Sequence, residues 1–200
     1  MIYLIITSSI NNKVGIVNEN HRKVTYINSI SKALNLLPAE IKPIIVENNG
    51  NRKTFLDDFN CDILYTDNNK LSCAHKGVNE LYDIKEVINK YNISDEDTII
   101  KLTGRYFPSN NSFFNLVLSN PDKDALLSFF NVCTLKYMEN DCVLGMFAIK
   151  CKYLKMFEYL CKESPEVEFA TFVRKNLNFM EVEKLHLTCC FADNLRILNV

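Results

Sequence analysis

Short, β-rich apolar runs alternate along this chain with longer segments of helical period, and the runs break into polar residues where they end. This alternation is the feature that most narrows the fold, because strands separated by helices build a largely parallel sheet covered by helices. The first run, Ile2 to Thr7, is continuously apolar and then meets Ser8 and Ser9. Such a run suits a central strand buried on both faces. Val24, Ile27, Ile30, Leu34 and Leu37 follow at helical spacing, with Pro38 as the stop. Pro43 to Val46 predicts a second strand, ending in Glu47 and the Asn49-Gly50 turn. A short helical piece at Phe55 to Phe59 leads to a third strand, Asp62 to Tyr65, with Asp67, Asn68 and Asn69 behind it. Val78, Leu81, Ile84, Val87 and Ile88 mark an amphipathic helix, and Asp97 to Leu102 a fourth strand that runs into Thr103, Gly104 and Arg105. Gly145 to Ala148 is expected to pack against the sheet, and the stretch from Phe179 to Cys189 to complete it.

Two hundred residues, 48% of them hydrophobic, suffice for one substantial core, so residues 1–200 are expected to form a single domain. A formal net charge of -1 with scattered lysines gives no basic stripe, which argues against nucleic acid and anionic membrane as partners. The apolar start is too short to span a bilayer and has no charged leader, so no membrane span and a cytoplasmic location are expected. Eight cysteines without regular spacing read as reduced thiols. Cys73 and His75 have no second pair at zinc-ligand spacing, so no structural metal is expected.

In an open parallel sheet, ligands bind outside the carboxyl ends of the strands, so the polar strand ends predict one shared site. Thr7, Ser8 and Glu47 have the hydrogen-bonding groups to hold a base and ribose, and Arg22, Lys76, Lys101 and Arg105 the charge to neutralise a diphosphate. Asn49 belongs either to a ligand loop or simply to its turn. Gly104 suits a tight turn after its strand, and Arg105 has a surface ion pair as its alternative role.

Arg22 with Tyr26, Ser29 and Ile30, then Ile45 to Gly50 with Arg52, then Lys76, Gly77 and Glu80, then Ile100 to Tyr106, together resemble small glycosyltransferase A-fold proteins. These are nucleotide-diphospho-sugar transferase-like proteins of large DNA viruses and bacterial polysaccharide clusters. The resemblance implies an α/β, Rossmann-like, mostly parallel sheet. It also implies a hexosyl- or deoxyhexosyltransferase that moves sugar from a nucleotide-sugar donor, a UDP-sugar in the first instance, to a glycan acceptor. An inactive nucleotide-sugar-binding or glycan-binding relative, or a scaffold, is the alternative. A viral origin would place the protein in host cytoplasm. On this resemblance Thr7 and Glu47 lie near the nucleoside, Arg22 and Lys76 near the pyrophosphate, and Thr103 to Arg105 where many relatives carry Asp-x-Asp. Without that pair, manganese or magnesium is possible but not required, since Lys101 and Arg105 are candidates to replace the ion. The acidic run Asp95 to Asp97 precedes its strand and is read as solvated. A transferase base is expected at Ser164 to Glu168, where Glu166 and Glu168 fit catalysis and helix capping about equally.

Overall fold

In the computed structural model the described residues are 1–11, 19–71, 76–191 and 196–200. Cys73 and His75 lie outside them. The elements run β1 (Ile2–Ser8), α1 (Glu19–Asn35), β2 (Ile41–Glu47), β3 (Asp62–Tyr65), α2 (Lys76–Lys90), β4 (Thr98–Thr103), β5 (Phe107–Pro108) and α3 (Ser112–Ser119). There follow β6 (Ala125–Leu127), β7 (Met146–Lys150), α4 (Cys151–Met156), α5 (Pro165–Asn176), β8 (Phe179–Glu181), β9 (Leu187–Cys190) and β10 (Ile197–Asn199). A 3-10 turn at Phe55–Asp58 stands where the short helical piece was expected, capped by the Thr54 side chain.

Among the described residues the main sheet has seven strands in the order β3-β2-β1-β4-β7-β6-β8. β3, β2, β1 and β4 are mutually parallel, β7 runs against both of its neighbours, and β6 and β8 are parallel. The mostly parallel α/β sheet is therefore present. Two expectations for the second half need correction. Residues 146–148 are not packed against the sheet but are part of it, as β7 between β4 and β6. The stretch from Phe179 splits: β8 closes one edge of the main sheet, while β9 joins β5 and β10 in a separate three-stranded sheet. Between them the consecutive charged residues Glu183 and Lys184 interrupt the apolar alternation, and His186 takes a positive φ of 52°. The chain turns there and leaves the sheet.

Strand period two distributes the core over both sheet faces. Tyr3, Ile5, Ile44, Val46 and Ile99 pack with Leu81, Ile84 and Ile88 of α2 on one face, joined by Phe169 and Val173 of α5. Leu4, Ile6, Ile45, Ile100 and Leu102 pack with Tyr26, Ile30 and Ala33 of α1 on the other, joined by Phe113 and Phe114 of α3. Both faces of β1 are thus dry, which is why its sequence is apolar without alternation.

Candidate functional site: a cleft at the carboxyl ends of the parallel strands

The same alternation sorts the polar strand ends. Thr7, Lys101 and Thr103 continue the α2 side, and Ser8 and Glu47 the α1 side, because register pairs Thr7 with Thr103 and Ser8 with Glu47. Above this edge opens a cleft of ≈ 400 Å³. Thr7, Ser8, Arg22, Lys76, Lys101, Thr103, Arg105 and Glu166 all line it, so the structure brings together most of the residues singled out in sequence. Glu47, Asn49, Gly104 and Glu168 do not reach its surface.

Each of those four has a local occupation. Glu47 is fully buried. Its carboxylate accepts from Ser8 Oγ at 2.6 Å and from the Ile10 N–H at 3.2 Å, with Arg52 Nη2 at 3.5 Å. Burial pushes its pKa up, and the bonds from Ser8, Ile10 and Arg52 act against that rise. Asn49 Oδ1 accepts the Asn11 N–H at 2.6 Å, and Gly50 follows with φ of 89°, the positive value that an Asn-Gly turn favours. Gly104 donates its N–H to Thr7 O at 2.8 Å; an added Cβ would stand 2.9 Å from both that oxygen and the Tyr26 ring. Glycine is required there by close approach. Glu168 accepts three backbone N–H groups, from Leu160 and Lys162 at 2.6 Å and Glu163 at 3.1 Å. Slight burial opposes its charge, but those N–H groups prevail and hold the carboxyl below its ordinary range. Ser164 caps α5 through the Val167 N–H, with Pro165 in the first turn. Glu166 is the acid of that turn that faces the cleft.

The cations differ in what they have left to give. An ammonium has three protons, and Lys101 Nζ spends them on Thr103 Oγ1 at 2.7 Å, Leu144 O at 2.8 Å and Glu80 Oε2 at 2.8 Å. Lys101 therefore anchors the cleft floor. Arg22, almost wholly buried, donates Nε to Ile10 O at 2.9 Å and Nη2 to Ser9 O, fixing the loop behind β1. Burial lowers its pKa from an ordinary value high enough to leave it a cation. Arg105 donates Nε to Cys190 O at 3.3 Å and Nη1 to Tyr26 Oη at 3.4 Å, leaving the rest of its fork toward the cleft. Its backbone carbonyl accepts from Ser29 Oγ at 2.9 Å, which ties it to α1.

Glu80 and Asp83 were the residues whose roles sequence reasoning missed. Glu80 stood in the quoted motif with no role assigned; it lines the cleft, pairs with Lys101 and accepts from Thr7 Oγ1 at 3.3 Å. Asp83, one helical turn on and fully buried, accepts from Thr66 Oγ1 at 2.6 Å, Asn68 Nδ2 at 2.8 Å and Asn48 Nδ2 at 3.0 Å. Burial raises its pKa to about 6 against those three bonds. The only sequence signal was a charged residue between the apolar positions Leu81 and Ile84 of α2. Asp97, by contrast, lies before β4 at the other end of the sheet, beside the N-terminal ammonium.

No family model and no curated protein matches the sequence. Solved structures do match in fold. A Desulfovibrio desulfuricans protein named as a nucleotide-diphospho-sugar transferase aligns over 91% of this chain and 79% of its own, at 8% identity and a TM-score of 0.56. This chain has the glycosyltransferase A fold. The Pyrobaculum calidifontis mannosyltransferase PcManGT, solved with GDP-Man and Mn2+, aligns over 92% of this chain and 55% of its own, at 8% identity and a TM-score of 0.59. Residues 1–349 of Staphylococcus aureus TarS align over 91% and 58%, at 13% identity and a TM-score of 0.53. The chain thus spans little more than half the length of the last two. No helix among the described residues is long and apolar enough to cross a membrane.

Proposed function

We propose that the protein is a glycosyltransferase that takes a sugar from a nucleotide-sugar donor, a UDP-sugar in the first instance, and passes it to a glycan acceptor. The observation that carries this is the charge of the cleft. Among its described lining residues are four cations, Arg22, Lys76, Lys101 and Arg105, against two acids, Glu80 and Glu166. That imbalance suits a diphosphate, and the glycosyltransferase A fold supports the same ligand class.

On this reading Arg105 is the principal phosphate ligand, because its fork retains N–H groups while Lys101 has none to spare. As the bond to the leaving diphosphate lengthens, a fixed guanidinium stabilises the growing charge without reorganising. Glu166, half-buried on the α5 side of the cleft, is the candidate to take the acceptor's proton. Glu168 is committed to the backbone of the preceding loop. A divalent ion has little to hold it: Thr103, Gly104 and Arg105 follow β4 without a carboxylate. No group of three or more His, Cys, Asp or Glu side chains converges among the described residues. The residues at this strand end do not fit a carboxylate-held metal.

Calorimetric titration with nucleoside diphosphates and nucleotide-sugars tests the reading. Wild-type protein is expected to bind one nucleotide class, and Arg105→Gln to weaken that binding about 10- to 100-fold while the protein stays folded. Folded wild-type protein that binds no nucleoside diphosphate or nucleotide-sugar would overturn it. Binding without sugar transfer, with Glu166→Gln indistinguishable from wild type, would instead select the non-catalytic binding relative.

A further inference from the structure

Tyr106 lines the cleft beside Arg105, on a turn that its own N–H closes by donating to Thr103 O at 2.8 Å. Its ring is held from two sides. One edge fills the space over Gly145, where an added Cβ would stand 2.5 Å from ring carbons Cδ2 and Cε2, and Phe191 lies beyond with ring centroids 6.5 Å apart. The Arg105 guanidinium carbon is 5.8 Å from the Tyr106 ring centroid, so the two side chains reach the cavity together. The phenol oxygen is used differently from the ring. Tyr106 Oη has no hydrogen-bond partner among the described residues, and it is not sealed in: the unpaired side-chain oxygen or nitrogen closed off from solvent among them is Asn79 Oδ1. A half-buried tyrosine thus presents an open, unspent hydroxyl at the cleft.

We propose that Tyr106 is a second diphosphate ligand of the cleft, its phenol donating a hydrogen bond to a phosphate oxygen of the nucleotide-sugar beside the Arg105 guanidinium. The proposal rests on the nucleotide-sugar reading above. A diphosphate offers only acceptors, so only donors can serve it, and Lys101 has none left. Burial holds the phenol above its ordinary range against the pull of Arg105, so Tyr106 keeps its proton to donate. At a strand end whose residues Thr103, Gly104 and Arg105 supply no carboxylate for a metal, a fixed neutral donor supplements the guanidinium. The charge that grows on the leaving diphosphate then meets two donors already in place. Gly145 is the positioning residue of this pair, because any side chain there must push the ring, and Oη with it, aside.

The decisive variant is Tyr106→Phe, which keeps the ring over Gly145 and removes the oxygen alone. Since that oxygen makes no bond in the protein, the melting temperature of free protein is expected to stay unchanged or rise slightly. Wild-type protein is titrated calorimetrically with UDP, GDP and dTDP, and the variants with the one bound best and with its glucose conjugate. Tyr106→Phe is expected to weaken the nucleoside diphosphate about tenfold, the loss typical of a hydrogen bond to a charged group, and its sugar conjugate by the same factor. Gly145→Ala, which keeps the phenol but displaces it, is the second variant and is expected to weaken the same two ligands. Wild-type affinity for the nucleoside diphosphate in both variants would overturn the proposal while leaving the nucleotide-sugar reading intact. A loss in Tyr106→Phe confined to the sugar conjugate would give the phenol to a sugar hydroxyl instead and would also overturn it. So would a melting temperature that drops in Tyr106→Phe, which would show that the hydroxyl serves the fold. Folded wild-type protein that binds none of the three nucleoside diphosphates would remove both readings.

Discussion

The two sides of the strand ends hold similar polar residues and use them in opposite ways. On the α1 side Ser8, Glu47, Arg52 and the Ile10 N–H satisfy one another in a closed set, and Arg22 binds the adjacent loop backbone. On the α2 side Thr7, Glu80 and Lys101 are also bonded together, but here the acid, Glu80, lines the cleft, whereas Glu47 does not reach it. Thr7 and Ser8, neighbours on β1, both line the cleft but serve different acids, Thr7 bonding to Glu80 and Ser8 to Glu47. Residue type alone does not separate scaffold from ligand groups at a sheet edge; the strand period does.

If the α1 side is scaffold, damage there must appear as lost stability before lost binding. Glu47→Ala leaves the Ile10 N–H without its acceptor in a dry site and Ser8 Oγ with Val46 O alone, with an expected cost of about 3 to 4 kcal/mol in urea denaturation once the lost carboxylate packing is included. A cost within 0.5 kcal/mol, on the order seen for surface substitutions, would break the contrast. The Asp83 cluster sharpens it through pH. Its folded pKa of about 6 lies above the ordinary carboxylate value, so its contribution is fully present below the unfolded pKa and fades as pH rises through 6. The stability gap between wild type and Asp83→Ala should therefore widen on acidification from pH 7 to pH 4, by up to roughly 3 kcal/mol. Urea midpoints that keep a constant gap across that range would count against the assigned ionisation. The smallest effect concerns the junction of the two sides. Gly104→Ala drives a methyl against Thr7 O and Tyr26, and a loss of about 2 kcal/mol is expected from thermal melts. An unchanged melting temperature would mean that the contact relaxes freely.

Much of the fold was legible because β1 to β4 stand out as apolar runs and α1 and α2 as helical segments, although the face of α1 that is buried is that of Tyr26, Ile30 and Ala33, with Val24 exposed. β7 was not: the five residues Met146 to Lys150 are too short to distinguish a strand from a packed segment, and its direction is set by tertiary pairing with β4 and β6. The split between β8 and β9 depended likewise on a turn at His186 that no glycine announces. For the site, the strand ends located the cleft, since the end of a parallel strand is visible as the end of an apolar run. Which polar residue turns inward was not visible. Glu47 and Glu80 are both acids beside apolar stretches, and only the packing of α1 and α2 on opposite faces makes one a buried brace and the other a cleft wall. Glu166 and Glu168 show the same limit on a helix: two positions apart, they point about 200° apart around the axis, so only one meets the cavity.

The reversed direction of β7 has an evolutionary implication. β6 runs toward the cleft and β7 runs away from it, so the chain from 128 to 145 leaves the sheet and returns to it along one rim. Residues added within that excursion lengthen a surface loop at modest entropic cost and leave every strand register unaltered. The rim beside Leu144 and Gly145 is thus the place where a small protein of this fold can enlarge one wall of its cleft by insertion.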